Sequence, residues 1–163
     1  SLMAFVNENN GNTVVGSISY DPMDENVLLF DVDPATIPTN TLTAIDNIID
    51  PLKAGPGVNL PAAAEGQRYL IVSNNIGNVN NSPSNSPTAW RNADDTPVYA
   101  MANDIIEYDG TNWNVVFSAQ ESNPDIIQYV TNLHTGIQIK WVDGTWQKSW
   151  EGLYREGLWL III

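Results

Sequence analysis

Asp104-Ile105-Ile106-Glu107-Tyr108-Asp109-Gly110-Thr111-Asn112-Trp113-Asn114-Val115-Val116-Phe117 is the stretch that decides the fold class. Two short runs of β-branched and aromatic residues flank an Asp-Gly pair, a combination that reads as a strand, a reversal and a strand. The pattern recurs at Gly136-Ile137-Gln138-Ile139-Lys140-Trp141, Val142-Asp143-Gly144-Thr145 and Trp146-Gln147-Lys148-Ser149-Trp150, with the Asp-Gly pairs 34 residues apart. Aspartate and glycine tolerate the positive φ that a tight reversal needs. Tyr108 with Trp113, and Trp141 with Trp146, bracket the two turns and can pair across them, each pair contributing roughly 0.2–1 kcal/mol over small side chains. This internal repeat predicts two antiparallel hairpins.

Upstream, Gln67-Arg68-Tyr69-Leu70-Ile71-Val72-Ser73 has strand character. The uncharged Asn/Ser/Pro-rich run from Asn74 to Pro87 reads as an exposed loop. Nearer the start, Thr13–Tyr20 and Val27–Val32 read as strands joined by the turn-forming Asp21-Pro22-Met23-Asp24-Glu25-Asn26. One short helix is expected near 41–50. Asn40 or Thr41 would cap it, Leu42, Ile45, Ile48 and Ile49 would form one stripe, and Pro51 would stop it. The expected fold is therefore mainly β, a small sandwich or barrel-like arrangement of antiparallel hairpins with that single helix. Residues 1–59 would form an N-terminal hairpin plus helix. Residues 60–163 would form a β module carrying both Asp-Gly hairpins, packed with the first part as one unit.

A chain of 163 residues with 43% hydrophobic residues can bury a core. It contains no cysteine, which excludes disulfides, zinc–thiolate sites and thiol nucleophiles. Six basic against nineteen acidic residues give a net charge of −13. Arg68, Arg91, Lys140, Lys148 and Arg155 are scattered, so neither nucleic acid nor an anionic membrane is an expected partner. No run is apolar enough for a membrane span. Ser1-Leu2-Met3 lacks the features of a signal peptide, and Ser1-Leu2 reads as a tag remnant.

Catalytic chemistry finds little support. His134 is the one histidine, and no nucleophile-elbow pattern accompanies it. Asp94, Asp95, Asp104, Glu107, Asp109 and Asp143 could in principle supply a glycosidase pair, but turn and strand-edge contexts already account for them. No calcium-loop spacing and no phosphate-cradling glycine loop occurs. The sequence thus predicts no catalytic residue, no metal site and no cofactor. Two groups remain as candidate sites. Trp90, Trp113, Trp141, Trp146 and Trp150 could stack on sugar rings if exposed, although large indoles more often pack. Leu158-Trp159-Leu160-Ile161-Ile162-Ile163 is apolar and strand-like, and it would join neighbouring subunits or be buried as a strand.

The order of several weak motifs points to a family. Leu60-Pro61 is followed by Glu65-Gly66-Gln67-Arg68-Tyr69-Leu70-Ile71-Val72, Ala89-Trp90, and Ala102-Asn103-Asp104-Ile105-Ile106-Glu107-Tyr108-Asp109-Gly110 with Trp113. Trp141-Val142-Asp143-Gly144-Thr145-Trp146 comes last. The course resembles small β modules of phage tail and tail-fibre-associated proteins, also seen in gene transfer particles, over roughly Leu60 to Trp150. The resemblance implies a virion structural or attachment role by protein–protein assembly. The partners would be other virion proteins or further copies in a homo-oligomer such as a trimer, with a host-surface glycan as a further ligand. Two rivals stand beside it: a carbohydrate-binding module using exposed tryptophans, and an acid-pair glycoside hydrolase.

Overall fold

A computed structural model of the chain describes residues 2–6, 13–73, 75–77 and 89–149. Two compact units emerge, residues 40–147 and, among the described residues, 2–6 and 13–39 with Lys148 and Ser149. Segment 40–59, grouped by sequence with the N-terminal part, supplies strands to the larger unit.

The smaller unit is one antiparallel sheet in the order β1 (Leu2–Val6), β2 (Thr13–Asp21), β3 (Asp24–Val32). The expected hairpin is present, and its strands run closer to the turn than the apolar residues indicate, with Tyr20 opposite Leu28 and Asp21 opposite Asp24. The Asp21 carboxylate accepts the Met23 amide at 2.8 Å, which closes the reversal. Gly16 leaves room for Phe30: a Cβ there would lie 2.7 Å from the Phe30 ring and 2.3 Å from the Asp31 carbonyl oxygen. A short 3-10 turn, Pro34–Thr36, follows, capped by the Asp33 carboxylate on the Ala35 amide at 2.9 Å. The Thr36 hydroxyl ties this turn to the sheet by accepting the Val15 amide at 2.9 Å.

The larger unit is sandwich-like. Its central sheet runs β4 (Asn47–Ile49), β7 (Arg68–Ile71), β8 (Ile105–Tyr108), β9 (Trp113–Phe117), with β4 parallel to β7 and the other pairs antiparallel. A second sheet, β10 (Gln128–Asn132), β11 (Ile137–Val142), β12 (Thr145–Lys148), follows in the chain, and β5 (Gly55–Pro56) pairs with β6 (Asn59–Leu60) in the crossover. Its inner strands β7 and β8 are buried on both faces. Ile49, Tyr69, Ile71, Ile106 and Trp113 pack with Ile76, Trp90 and Val98 on one side. Leu70, Ile105 and Phe117 pack with Val130, Ile139 and Trp141 on the other. Two-sided burial is why these strands read as continuous apolar runs and not as alternating ones.

The helix expected near 41–50 does not form. Thr41 and Leu42 donate their amides to the Tyr129 carbonyl (2.9 and 3.0 Å), Ile45 donates to Thr131 (2.9 Å), and Asp46 donates to Arg68 (2.8 Å). The segment therefore lies along β10 and then enters the sheet as β4 beside β7. Apolar spacing could not separate these outcomes, and the structure explains the choice. Two to three isolated turns rich in Thr, Asn, Asp and Ile are weakly helical, whereas two strands offered backbone acceptors.

Both Asp-Gly hairpins are present, and their turns differ. Tyr108 faces Trp113, with ring centroids 5.0 Å apart; the Trp141 and Trp146 rings lie 5.4 Å apart. In the second turn Asp143 (φ 50°) and Gly144 (φ 72°) are both left-handed, as a two-residue primed reversal requires. In the first, the pair sits one place earlier within its aromatic bracket, so Gly110 (φ 95°) takes the positive φ and Asp109 acts through its side chain. The Asp109 carboxylate accepts the amides of Asn112 (2.7 Å) and Thr111 (2.8 Å) and the side-chain amide of Asn114 (2.8 Å).

Those bonds, led by Asn112, hold the Asp109 carboxyl below its ordinary 3.8. With the folded value depressed, the stabilising contribution is present above the unfolded value and is lost as pH falls through the folded one. An NMR pH titration is expected to place Asp109 below the ordinary carboxylate range. A value at or above that range would contradict the turn geometry.

Candidate ligand groove

A register shift in the β8–β9 hairpin shapes one wall of a groove in the larger unit. Ile106 pairs with Val115 but Ile105 pairs with Phe117, so β9 carries one extra residue, Val116. Such a bulge re-aims side chains. Trp113 and Phe117 are four apart and would share a face in a regular strand. The extra residue sends them instead to opposite sides of the sheet, Trp113 into one core and Phe117 into the other. Val115 and Val116 are left exposed between them.

These two valines form one wall of a groove of about 550 Å³, also lined by Ile76, Tyr99, Met101, Ser118, Gln120 and Glu121. Its far wall is held by backbone pairing of Ile76 with Ala100, at 2.8 and 3.3 Å, and by the Asn75 side chain accepting the Ala102 amide at 2.7 Å. Asp104 reaches the groove from beneath. It is 3% exposed, and its two carboxylate oxygens accept the Met101 amide at 2.8 Å and the Ala119 amide at 2.9 Å. One buried side chain thereby joins the two walls. Tyr99, between buried Val98 and Ala100, is 67% exposed.

The tryptophans occupy different places from those a stacking surface needs. Trp90, Trp113 and Trp141 are each 5% exposed, with their faces covered by core residues. Trp90 donates its indole N–H to the Ala54 carbonyl at 3.1 Å and Trp141 donates to the Ser122 hydroxyl at 2.9 Å. Trp146 is half-buried, packs on Phe117 and Trp141, and donates to the Asn103 carbonyl at 2.9 Å. As a set of exposed sugar platforms these residues are corrected to core packing: large indoles at the mouths of hairpins are drawn into the sandwich. Trp150 and Leu158–Ile163 lie outside the described residues, as does most of the Asn74–Pro87 loop.

The acids are dispersed. Asp94 accepts Thr96, Glu107 pairs with Arg68 across the β7–β8 ladder, and Asp109 and Asp104 serve backbone amides. His134 is exposed in the turn between β10 and β11, where its amide donates to the Asn132 side chain at 3.0 Å. Among the described residues no three His, Asp or Glu side chains gather to hold a metal ion, and no helix is long and apolar enough to cross a membrane.

Nothing in the sequence singled out Tyr99, Met101, Gln120 or Glu121. No protein-family model, curated protein or solved structure matches the chain.

Proposed function

We propose that this chain is a structural or attachment module of a phage particle, acting in the virion by protein–protein assembly through its N-terminal sheet. The supporting observation is the apolar surface of β3. Val27 and Leu29 on one face and Leu28 on the other are all exposed, Leu28 at 55%, and Tyr20 and Met23 beside them are more open still. A three-stranded sheet needs one face covered to be stable by itself, and a cluster of exposed aliphatics on a chain of net charge −13 marks an interaction surface. Covering it with a neighbouring virion subunit, another protein or a further copy of this chain, supplies the missing burial. The phage setting is supported by the order of motifs between Leu60 and Trp150.

Mass spectrometry of purified particles carrying the gene tests this reading. Peptides of the wild-type chain are expected among the particle proteins. A Leu28→Lys/Leu29→Lys variant, folded by circular dichroism, is expected to be depleted from them about tenfold or more, the equivalent of ~1.4 kcal/mol of lost association. Particles lacking the wild-type chain, with the chain abundant in the lysate, would overturn the virion role. Wild-type incorporation of the variant would overturn the role of the sheet.

A further inference from the structure

We propose that the groove between the Tyr99–Met101 segment and β9 binds a neutral saccharide, with the Tyr99 ring as its stacking surface and Gln120 and Glu121 as hydroxyl partners. A pyranose has a face of C–H groups and a rim of hydroxyls, so its receptor needs an open aromatic or aliphatic surface bordered by planar hydrogen-bonding groups. The groove offers that combination. Tyr99, Met101, Val115 and Val116 provide exposed apolar surface, and Ser118, Gln120 and Glu121 provide polar groups along the same lining.

The ring is also held in advance. A Cβ at Gly77 would come within 2.3 Å of the Tyr99 Cδ1 and 2.8 Å of the Val98 carbonyl oxygen, so the ring is seated against bare backbone on one side. Gly77 also has φ 100°, a conformation that suits glycine. The neighbouring Val98 and Ala100 are locked in the core. An aromatic side chain fixed on one edge and open on the other loses little conformational freedom when a ligand arrives, which favours binding.

Charge narrows the class of ligand. Among the described residues the lining contains no Lys, Arg or His, its acids are Asp104 and Glu121, and Asp104 is committed to two backbone amides. With the chain at −13, phosphates and acidic sugars are repelled, and a neutral ligand fits. The described residues that line the groove all belong to the larger unit.

The test is binding of the full chain to an array of neutral oligosaccharides of hexoses and N-acetylhexosamines, followed by calorimetric titration of the hits. Saturable binding is expected. Tyr99→Ala should weaken it about tenfold, as loss of one aromatic stack implies, and Tyr99→Phe should keep it within about threefold. Tyr99 is exposed, so both variants should retain the wild-type circular dichroism. The proposal fails if no neutral glycan binds, if acidic glycans bind in preference, or if Tyr99→Ala binds as the wild type does. It fails equally if cross-linking in particles finds a virion peptide, and no glycan, seated on Tyr99.

Discussion

Asp104→Ala is expected to destabilise the larger unit by on the order of 3 kcal/mol, because the lost carboxylate serves two backbone amides at once. The Met101 and Ala119 amides would each lose a charged acceptor in a partly buried setting. The two chain segments they belong to would lose their shared anchor. The Asp104 backbone is already engaged, its amide donating to Met101 and its carbonyl accepting the Ile71 amide, so it cannot substitute for the side chain. In urea the midpoint should fall at unchanged slope. Asp104→Asn keeps one acceptor oxygen and should cost roughly half as much. An alanine variant within about 1 kcal/mol of wild type would show that water or local relaxation satisfies those amides, and the carboxylate would no longer be the groove's anchor.

Trp113→Ala is expected to cost about 3–5 kcal/mol, the range for deleting a large buried aromatic. Trp113 packs against Tyr108, Trp90 and Tyr69, with ring centroids 5.0, 5.4 and 5.8 Å away. It therefore closes the first hairpin and centres one core. Its indole N–H is buried and finds no hydrogen-bond partner among the described residues, unlike those of Trp90, Trp141 and Trp146. Trp113→Phe removes that unmatched donor while keeping most of the ring contact, so the relief of about 1–3 kcal/mol offsets much of the lost volume. Its net cost should stay below about 1.5 kcal/mol. Equal destabilisation by Phe and Ala would mean that the indole nitrogen is well solvated or bonded, and that shape alone decides the site.

The hairpins were legible because their signals are local. An Asp-Gly reversal, β-branched flanks and a facing aromatic pair act within a dozen residues, and each favours the same chain path. Segment 41–50 was not legible in this way. Its apolar residues at 42, 45, 48 and 49 satisfy a helix stripe, yet the competing partners, the carbonyls of Tyr129, Thr131 and Arg68, are remote in sequence for the first two. The tryptophans show the same limit. Composition says that an indole is large and amphipathic, but whether it faces a core or the solvent depends on which sheet closes over it.

By itself the sequence determined the β class, both Asp-Gly turns with their aromatic clasps, and the N-terminal hairpin, all consequences of backbone preference and nearest-neighbour pairing. Only the tertiary structure decided that the inner strands β7 and β8 are covered on both faces, that Val116 is an extra residue splitting Trp113 from Phe117, and that Tyr99 rests on Gly77 at the edge of an open groove. Burial and bulges depend on long-range packing, where strands distant in sequence compete for the same backbone groups and the same apolar surface.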